Sequence, residues 1–466
     1  MGAAFGMIGL GTMGRNLLLN MADHGISVCG YDRNPAQQKL LLELAADKPV
    51  TVADSMKSFI ESLEKPRRIM MLVPAGKIVD MVIEEAKPFL SAGDVLIDGG
   101  NSHYIDTDRR IETLKPTGIH FTGMGVSGGE DGARFGPSMM PGGSAEGYAE
   151  LKPILEKIAA QTEDGPCVCH TGAGSAGHYT KMVHNGIEYA IMQLISEVYG
   201  ILKNVYGYSN NELHQVFDQW NKGASASFLL EITANIFKQA DPMLPGSQLI
   251  DQILDRAAMK GTGMWTSASA LELHVPLSII DEAVAARDLS SFKPERQIIS
   301  QWVTPVQPIS RDDKHLQTLA DALHFGTALS YIQGFHLLQT ASAQFKYGIN
   351  PAEIARIWKG GCIIRSKFLD DIRKTFLQQT DLLNLLLHKD MFAVIQGNRA
   401  AAANIISIAT TARQPIPCLS SSLQYFDMFS SGRLPSNLIQ AQRDYFGAHT
   451  YERTDQAGSF HTDWTI

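Results

Sequence analysis

An α/β amino-terminal domain, a large all-α domain and a short tail make up the architecture that this 466-residue sequence predicts. Three observations carry the prediction. Short apolar runs alternate with longer periodic segments through the first third of the chain. From about residue 177 long amphipathic stretches take over, and near Ser430 the pattern changes again to a polar, aromatic segment with little helical period. A glycine fingerprint also closes the first apolar run, which makes the first domain Rossmann-like. Strand–helix alternation at this spacing builds a parallel sheet covered by helices on both faces. A chain of this length divides into two or three domains.

Taken in order, Ala3 to Ile8 reads as the first strand and ends at Gly9-Leu10-Gly11-Thr12-Met13-Gly14. In that place Gly9 permits the tight turn, Gly11 admits a pyrophosphate to the backbone, and Gly14 lets helix and strand pack closely. The helix beyond, Arg15 to His24, aims its first N–H groups at the phosphates. Ser27 to Tyr31 is the second strand and runs into Asp32-Arg33-Asn34. Here the signals conflict: Asp32 suits the ribose hydroxyls of NAD and repels a 2′-phosphate, whereas Arg33 suits either pairing with that phosphate or stacking on adenine, which favours or tolerates NADP. Strands at Ile69 to Val73 and Val95 to Asp98 follow, with helical segments at Val79 to Phe89 and Ile111 to Lys115. Two polar glycine loops, Asp98-Gly-Gly-Asn101-Ser102 and Gly125-Val-Ser127-Gly128-Gly129-Glu130, come after later strands and point into the ligand crevice. Ordinary turn chemistry explains either loop alone.

Gly177 to Tyr189 is the most informative segment. Lys181, His184, Asn185, Glu188 and Tyr189 fall at i, i+3, i+4, i+7 and i+8, on one helix face. A solvated stripe would continue with charges, yet its continuation is Met192 and Ile195, so the polar patch belongs to a helix buried on several sides. Buried Lys and Glu point to function. Lys260-Gly-Thr262-Gly-Met-Trp265 and Arg287 supply further basic groups, each of which alone reads as a surface charge with a packed stem. Trp220 to Ile232 echoes Trp358 to Ile372, which suggests a duplicated helical unit. Cys167, Cys169 and His170 lack zinc spacing, so no metal is expected.

Forty Lys plus Arg against 48 Asp plus Glu give a net charge of −8, which favours neither nucleic acid nor an anionic membrane. Five irregularly spaced cysteines argue against a disulfide framework. The first residues lack a signal-peptide pattern and no transmembrane stretch stands out, so a cytoplasmic enzyme is expected. An anionic ligand would therefore need positive charge gathered locally.

Six ordered motifs resemble one family: Asp98-Gly-Gly-Asn-Ser, Gly125-Val-Ser-Gly-Gly-Glu, Lys181 to Tyr189, Lys260 to Trp265, Gly360-Gly-Cys-Ile-Ile-Arg365 and Arg443-Asp-Tyr-Phe-Gly-Ala-His449. Together they look like decarboxylating 6-phosphogluconate dehydrogenases of the long, homodimeric form, from the first strand to Trp464. The resemblance implies a Rossmann-like domain over 1–176, a duplicated helical domain over 177–430, and a tail over 431–466 that reaches the partner subunit. It implies Lys181 as general base and Glu188 as general acid. Asn101, Ser127, Gly128, Gly129, His184 and Asn185 would hold the carboxylate and hydroxyls of 6-phosphogluconate. Tyr189, Lys260, Thr262, Arg287, Arg443 and His449 would hold its phosphate, the last two from the partner's tail. The cofactor would be NADP, with NAD open because of Asp32, lying along Gly9 to Gly14, Asp32 to Asn34, Val73, Pro74, Ala75 and Asn101. Four positions depart from the family pattern: Asp32 stands for a usual Asn, Pro74 and Met264 for common lysines, and Met259 for a small polar residue. The rival readings are a 3-hydroxyisobutyrate-type dehydrogenase, which is much shorter, and a non-catalytic nucleotide sensor, which has no need of Lys181 and Glu188.

Overall fold

Residues 2–304 and 309–464 are described by the computed structural model of the chain. The strands of the amino-terminal sheet are β1 (Phe5–Ile8), β2 (Val28–Tyr31), β3 (Val50–Val52), β4 (Arg68–Met71), β5 (Val95–Asp98), β6 (His120–Ser127) and β7 (Ser138–Pro141). Their order is β3-β2-β1-β4-β5-β6-β7. The first six run parallel and β7 pairs antiparallel with β6. The connecting helices are α1 (Thr12–Asp23), α2 (Pro35–Ala45), α3 (Met56–Glu61), α4 (Lys77–Ala86), α5 (Tyr104–Leu114), α6 (Gly129–Phe135) and α7 (Ala145–Ile158). Strands β1, β2 and β5 are buried along their whole length, so both faces of the sheet need cover. Leu17, Leu18, Leu151 and Leu155 of α1 and α7 pack in the apolar cluster on one face, and Phe59, Ile60, Val82 and Ile83 of α3 and α4 pack in the other.

Strand order reverses between β1 and β4. That reversal opens a crevice at the carboxyl ends of the strands, the usual ligand position of such sheets.

The structure corrects several sequence expectations. The sheet is mixed rather than parallel, because Ser138–Pro141 returns against β6. Gly125, Val126 and Ser127 therefore belong to a strand and not to a loop: their backbone groups are paired with Met140, Met139 and Ser138. Short β3 was not anticipated, and α5 begins at Tyr104, well before Ile111. The tail holds a helix, α19 (Ser436–Gly447), whose apolar side chains Leu438, Ile439, Tyr445 and Phe446 are exposed in the single chain. No core face marks its period.

Helix α8 (Ala176–Gly200) opens the helical domain and continues as one wide turn over Ile201–Val205. It is followed by α9 (Asn210–Trp220), α10 (Phe228–Ile236), α11 (Thr262–Glu272), α12 (Ser278–Ser291), α13 (Lys293–Ser300), α14 (His315–Phe345), α15 (Pro351–Ile357), α16 (Phe368–Gln378), α17 (Lys389–Thr411), α18 (Pro417–Phe429) and α19 (Ser436–Gly447). The order of one long helix and two short ones occurs twice, as α8-α9-α10 and α14-α15-α16. In each copy a side chain caps the second helix: Ser209 in a capping box with Glu212, and Asn350 on the Ala352 and Glu353 N–H groups. The two echoing segments meet, Phe228 N–H donating to Arg365 O (3.1 Å) and Lys367 N–H to Ala226 O (2.9 Å). Helices α8 and α14 pack closely because Gly326 and Gly334 leave room for Leu194 and Ile187. Among the described residues no helix is long and apolar enough to cross a membrane.

Candidate active site

The dinucleotide end is built on the β1–α1 turn. Gly9 has φ +93°, and a Cβ there would overlap Leu72 O; a Cβ on Gly14 would overlap Gly9 O. Gly11 faces open space, where a Cβ would meet nothing within 4 Å. No side chain caps α1 at Gly11. Its first N–H groups, around Thr12 and Met13, are thus presented to the crevice, an arrangement suited to phosphate. Val73 and Pro74 line the opposite wall with Ile78. Asp32 is committed to the backbone: Leu10 N–H donates to Oδ2 (2.7 Å) and Asn34 N–H to Oδ1 (2.8 Å). Asn34 caps α2. Arg33 is the one cation among the described residues lining this crevice. The residues present therefore fit a dinucleotide.

The loop after β5 is held from beneath. The Asp98 carboxylate, buried, accepts from Ser102 Oγ (2.6 Å), Gly100 N–H (3.0 Å) and Arg110 Nη1 (3.2 Å). Arg110 also donates to Asp80 and to Gly76 O, which ties this loop to the one after β4. Asn101 stands at its exposed tip.

Helix α8 packs directly on the sheet because glycines remove the side chains between them. A Cβ on Gly177 would overlap Gly123 O, and one on Gly125 would overlap Lys181 Cβ. Lys181, His184 and Asn185 are buried, and Glu188 is partly so. His184 is the hub. Its Nδ1 lies 3.2 Å from Lys181 Nζ, 3.0 Å from Asn185 Oδ1 and 3.7 Å from Glu188 Oε2. Its Nε2 lies 3.0 Å from Ser127 Oγ and 2.9 Å from Cys362 Sγ. Asn185 Nδ2 donates to Thr262 Oγ1 (3.2 Å).

With Nδ1 protonated, His184 donates to Asn185 and to the lone pair of a neutral Lys181 amine, and accepts from Ser127 or Cys362. With Nε2 protonated, it accepts at Nδ1 from a charged Lys181 instead, and the Asn185 amide turns so that Nδ2 faces the ring. The cluster thus accommodates lysine in both protonation states, as a proton carrier requires.

Electrostatics favour that traffic. Burial pushes the Lys181 ammonium below the usual lysine range, with the Glu188 charge opposing. Burial pushes Glu188 above the usual carboxyl range, opposed by Lys181 and Arg287. Burial and then the Lys181 charge hold His184 well below the ordinary imidazole value, so it stays neutral. An amine shifted down and a carboxyl shifted up on one helix face are able to divide base and acid work between them.

At the far end of the patch the Arg287 guanidinium stacks on the Tyr189 ring, 3.5 Å from its centroid. The α11 helix comes close through Gly263, whose Cβ would lie 2.6 Å from Tyr189 Cδ2. Lys260 is exposed just before it. Gly128 (φ +122°) and Gly129 (φ +64°) turn the chain after Ser127, and a Cβ on Gly128 would lie 2.6 Å from Gly361 O. Arg443 and His449 stand apart within the tail: Arg443 donates to Gln440 Oε1 (3.0 Å) and His449 packs on Phe446. Among the described residues no hydrogen bond, ion pair or ring contact joins either to the α8 cluster.

Sequence reasoning assigned no role to Cys362, Asp98, Arg110 or Gly125. Asp98, Gly125 and Cys362 lie inside the six ordered motifs, but their partners are visible only after folding.

Two family descriptions match the chain: the NAD binding domain of 6-phosphogluconate dehydrogenase over residues 4–172, and the 6-phosphogluconate dehydrogenase C-terminal domain over 177–464. A decarboxylating 6-phosphogluconate dehydrogenase of Synechococcus elongatus is 49% identical over 99% of both chains. An NADP(+)-dependent, decarboxylating one of Bacillus subtilis is 48% identical over 98% of both. The solved 6-phosphogluconate dehydrogenase of Plasmodium falciparum, described in apo form and with NADP+ or 6-phosphogluconate, superposes with a TM-score of 0.95 at 42% identity, covering 99% of this chain and 100% of that one. With its glycine-turned crevice and its buried Lys181–Glu188 face, this chain belongs to the decarboxylating 6-phosphogluconate dehydrogenase family.

Proposed function

We propose that this chain oxidises 6-phospho-D-gluconate at C3 and releases carbon dioxide, giving D-ribulose 5-phosphate with reduction of NADP. The observation that carries the reading is the face of α8 formed by buried Lys181, His184 and Asn185 and partly buried Glu188, set against the carboxyl ends of β5 and β6. NADP supplies, when bound, a nicotinamide ring that accepts hydride. Neutral Lys181 takes the proton of the C3 hydroxyl as the C3 hydrogen departs. The resulting 3-keto acid has its carboxylate β to the new carbonyl. Lys181, now an ammonium, faces that oxygen and stabilises the enolate as the C1–C2 bond breaks. Lys181 gives its proton to that oxygen, forming the enediol and returning to the neutral amine. Glu188 then protonates C1 of the enediol (product numbering) while Lys181 takes the enol proton back, and passing that proton to the Glu188 carboxylate resets both groups. The β-keto group itself is the electron sink, so the steps call on no metal.

His184 and Asn185 orient Lys181 and, with Asn101, Ser127, Gly128 and Gly129, hold the carboxylate and hydroxyls. Tyr189, Lys260, Thr262 and Arg287 bind the phosphate, for which charge-assisted contacts are the strong ones. The partner subunit's Arg443 and the partner's His449 complete that end, which makes the homodimer the catalytic unit. In support, α19 exposes Leu438, Ile439, Tyr445 and Phe446 on a surface that a lone chain leaves uncovered.

Supplied with 6-phosphogluconate and NADP, the purified protein should release NADPH and carbon dioxide in equal amounts, followed by absorbance and by labelled carbon dioxide. Reduction without carbon dioxide would refute the reading in favour of a simple hydroxy-acid dehydrogenase.

A further inference from the structure

We infer that Glu85 limits how strongly this enzyme favours a 2′-phosphorylated dinucleotide, by competing with the phosphate for Arg33. The inference rests on the dinucleotide reading above. Arg33 Nη2 lies 2.5 Å from Glu85 Oε2, in an ion pair between side chains 63% and 34% exposed. Both residues line the crevice beside Gly11, Tyr31 and Asp32. Groups at the end of the second strand of such a sheet meet the adenosine ribose, and an arginine there receives a 2′-phosphate.

The neighbouring groups leave the charged contact to Arg33. Both Asp32 oxygens accept backbone N–H groups, and Asn34, whose Oδ1 accepts from Ala36 N–H, has only the uncharged Nδ2 donor to add. Pro74 has neither charge nor N–H to offer. Arg33 is thus the one cation among the described lining residues, and its charge is already matched from α4, an element independent of the β2 turn. A 2′-phosphate must displace the Glu85 carboxylate from the guanidinium or sit beside it. A 2′-hydroxyl does neither. Glu85 therefore acts on NADP and not on NAD, as a specificity-determining residue.

The test is the dissociation constant of NADP+ and of NAD+, measured by calorimetry on the full-length wild type, Glu85→Gln, Arg33→Leu and the double variant. Exposed ion pairs are weak, so Glu85→Gln should tighten NADP+ by about three- to fivefold and leave NAD+ within about twofold. In the Arg33→Leu background the same change should have no effect. Unchanged or weaker NADP+ binding, an equal shift for both dinucleotides, or an effect that survives loss of Arg33 would each overturn the inference. A wild type that binds neither dinucleotide would overturn the reading beneath it instead.

Discussion

Lys181 sits where a charged amine is costly, and its neighbours show why it is there. Desolvation lowers its affinity for a proton, while Glu188 opposes the shift without a direct hydrogen bond. A lysine whose folded pKa lies below its unfolded value is penalised at pH values beneath the folded pKa. The penalty fades as pH rises through the interval up to the unfolded pKa. Lys181→Met removes both the base and the penalty. We expect turnover to fall by about 10²- to 10⁴-fold, with 6-phosphogluconate affinity nearly kept and the melting temperature at neutral pH raised. Steady-state kinetics, calorimetry and thermal unfolding check the three parts. A mild loss of turnover would place the base elsewhere.

Helix α8 shows how much of an element is legible before folding. The i, i+3, i+4, i+7 spacing put its polar residues on one face, and Val183, Ile187, Ile191 and Ile195 around them are buried. Met192, expected to continue the stripe into the core, is instead 42% exposed, so the helix is open to solvent on that side. What spacing could not show is what meets that face: Ser127 from β6, Thr262 from α11 and Cys362 from the loop after α15 arrive from distant segments. The errors have the same origin. Gly125 to Ser127 carries turn chemistry, and only pairing with β7 makes it a strand. Near the carboxyl end of α8, Glu197 accepts Cys418 and Leu419 N–H (2.8 and 2.9 Å) at the start of α18. Burial still raises its carboxyl to about 7. A raised acid binds more protons folded than unfolded, so its stabilisation is complete below the unfolded value and is lost as pH rises towards about 7. Melting temperature should therefore decline between pH 5 and pH 7, by at most about 1.4 kcal/mol of stability per pH unit from this group. Glu197→Gln should flatten that slope. An unchanged slope would show that Glu197 stays ionised.

At the scale of the molecule, the acidic balance of the chain and its anionic substrate are reconciled by placement. Lys181 and Arg287 stand at the two ends of one patch, close enough that both act on Glu188. Lys260 and the partner subunit's Arg443 are the remaining cations in the proposed arrangement, and the second yields a discriminating experiment. Inactive Lys181→Met and Arg443→Ala homodimers, unfolded together and reassembled, should recover about a quarter of wild-type activity, because each mixed dimer regains one intact site. If Arg443 serves its own subunit, mixing restores nothing. Activity of the remixed sample against the separately treated parents reads the answer.

Local chemistry sufficed for part of this protein. The glycine turn, the alternation of strand and helix, and the one-sided polar stripe on α8 are properties of short segments, and backbone sterics and side-chain period act at that range. The tertiary structure decided the rest: that glycines at 123, 125 and 177 let the sheet and α8 touch, that Cys362 reaches His184, and that Glu85 already occupies Arg33. Desolvation and close approach depend on what surrounds a group. Only the folded chain supplies the surroundings that lower the proton affinity of Lys181 and raise that of Glu188.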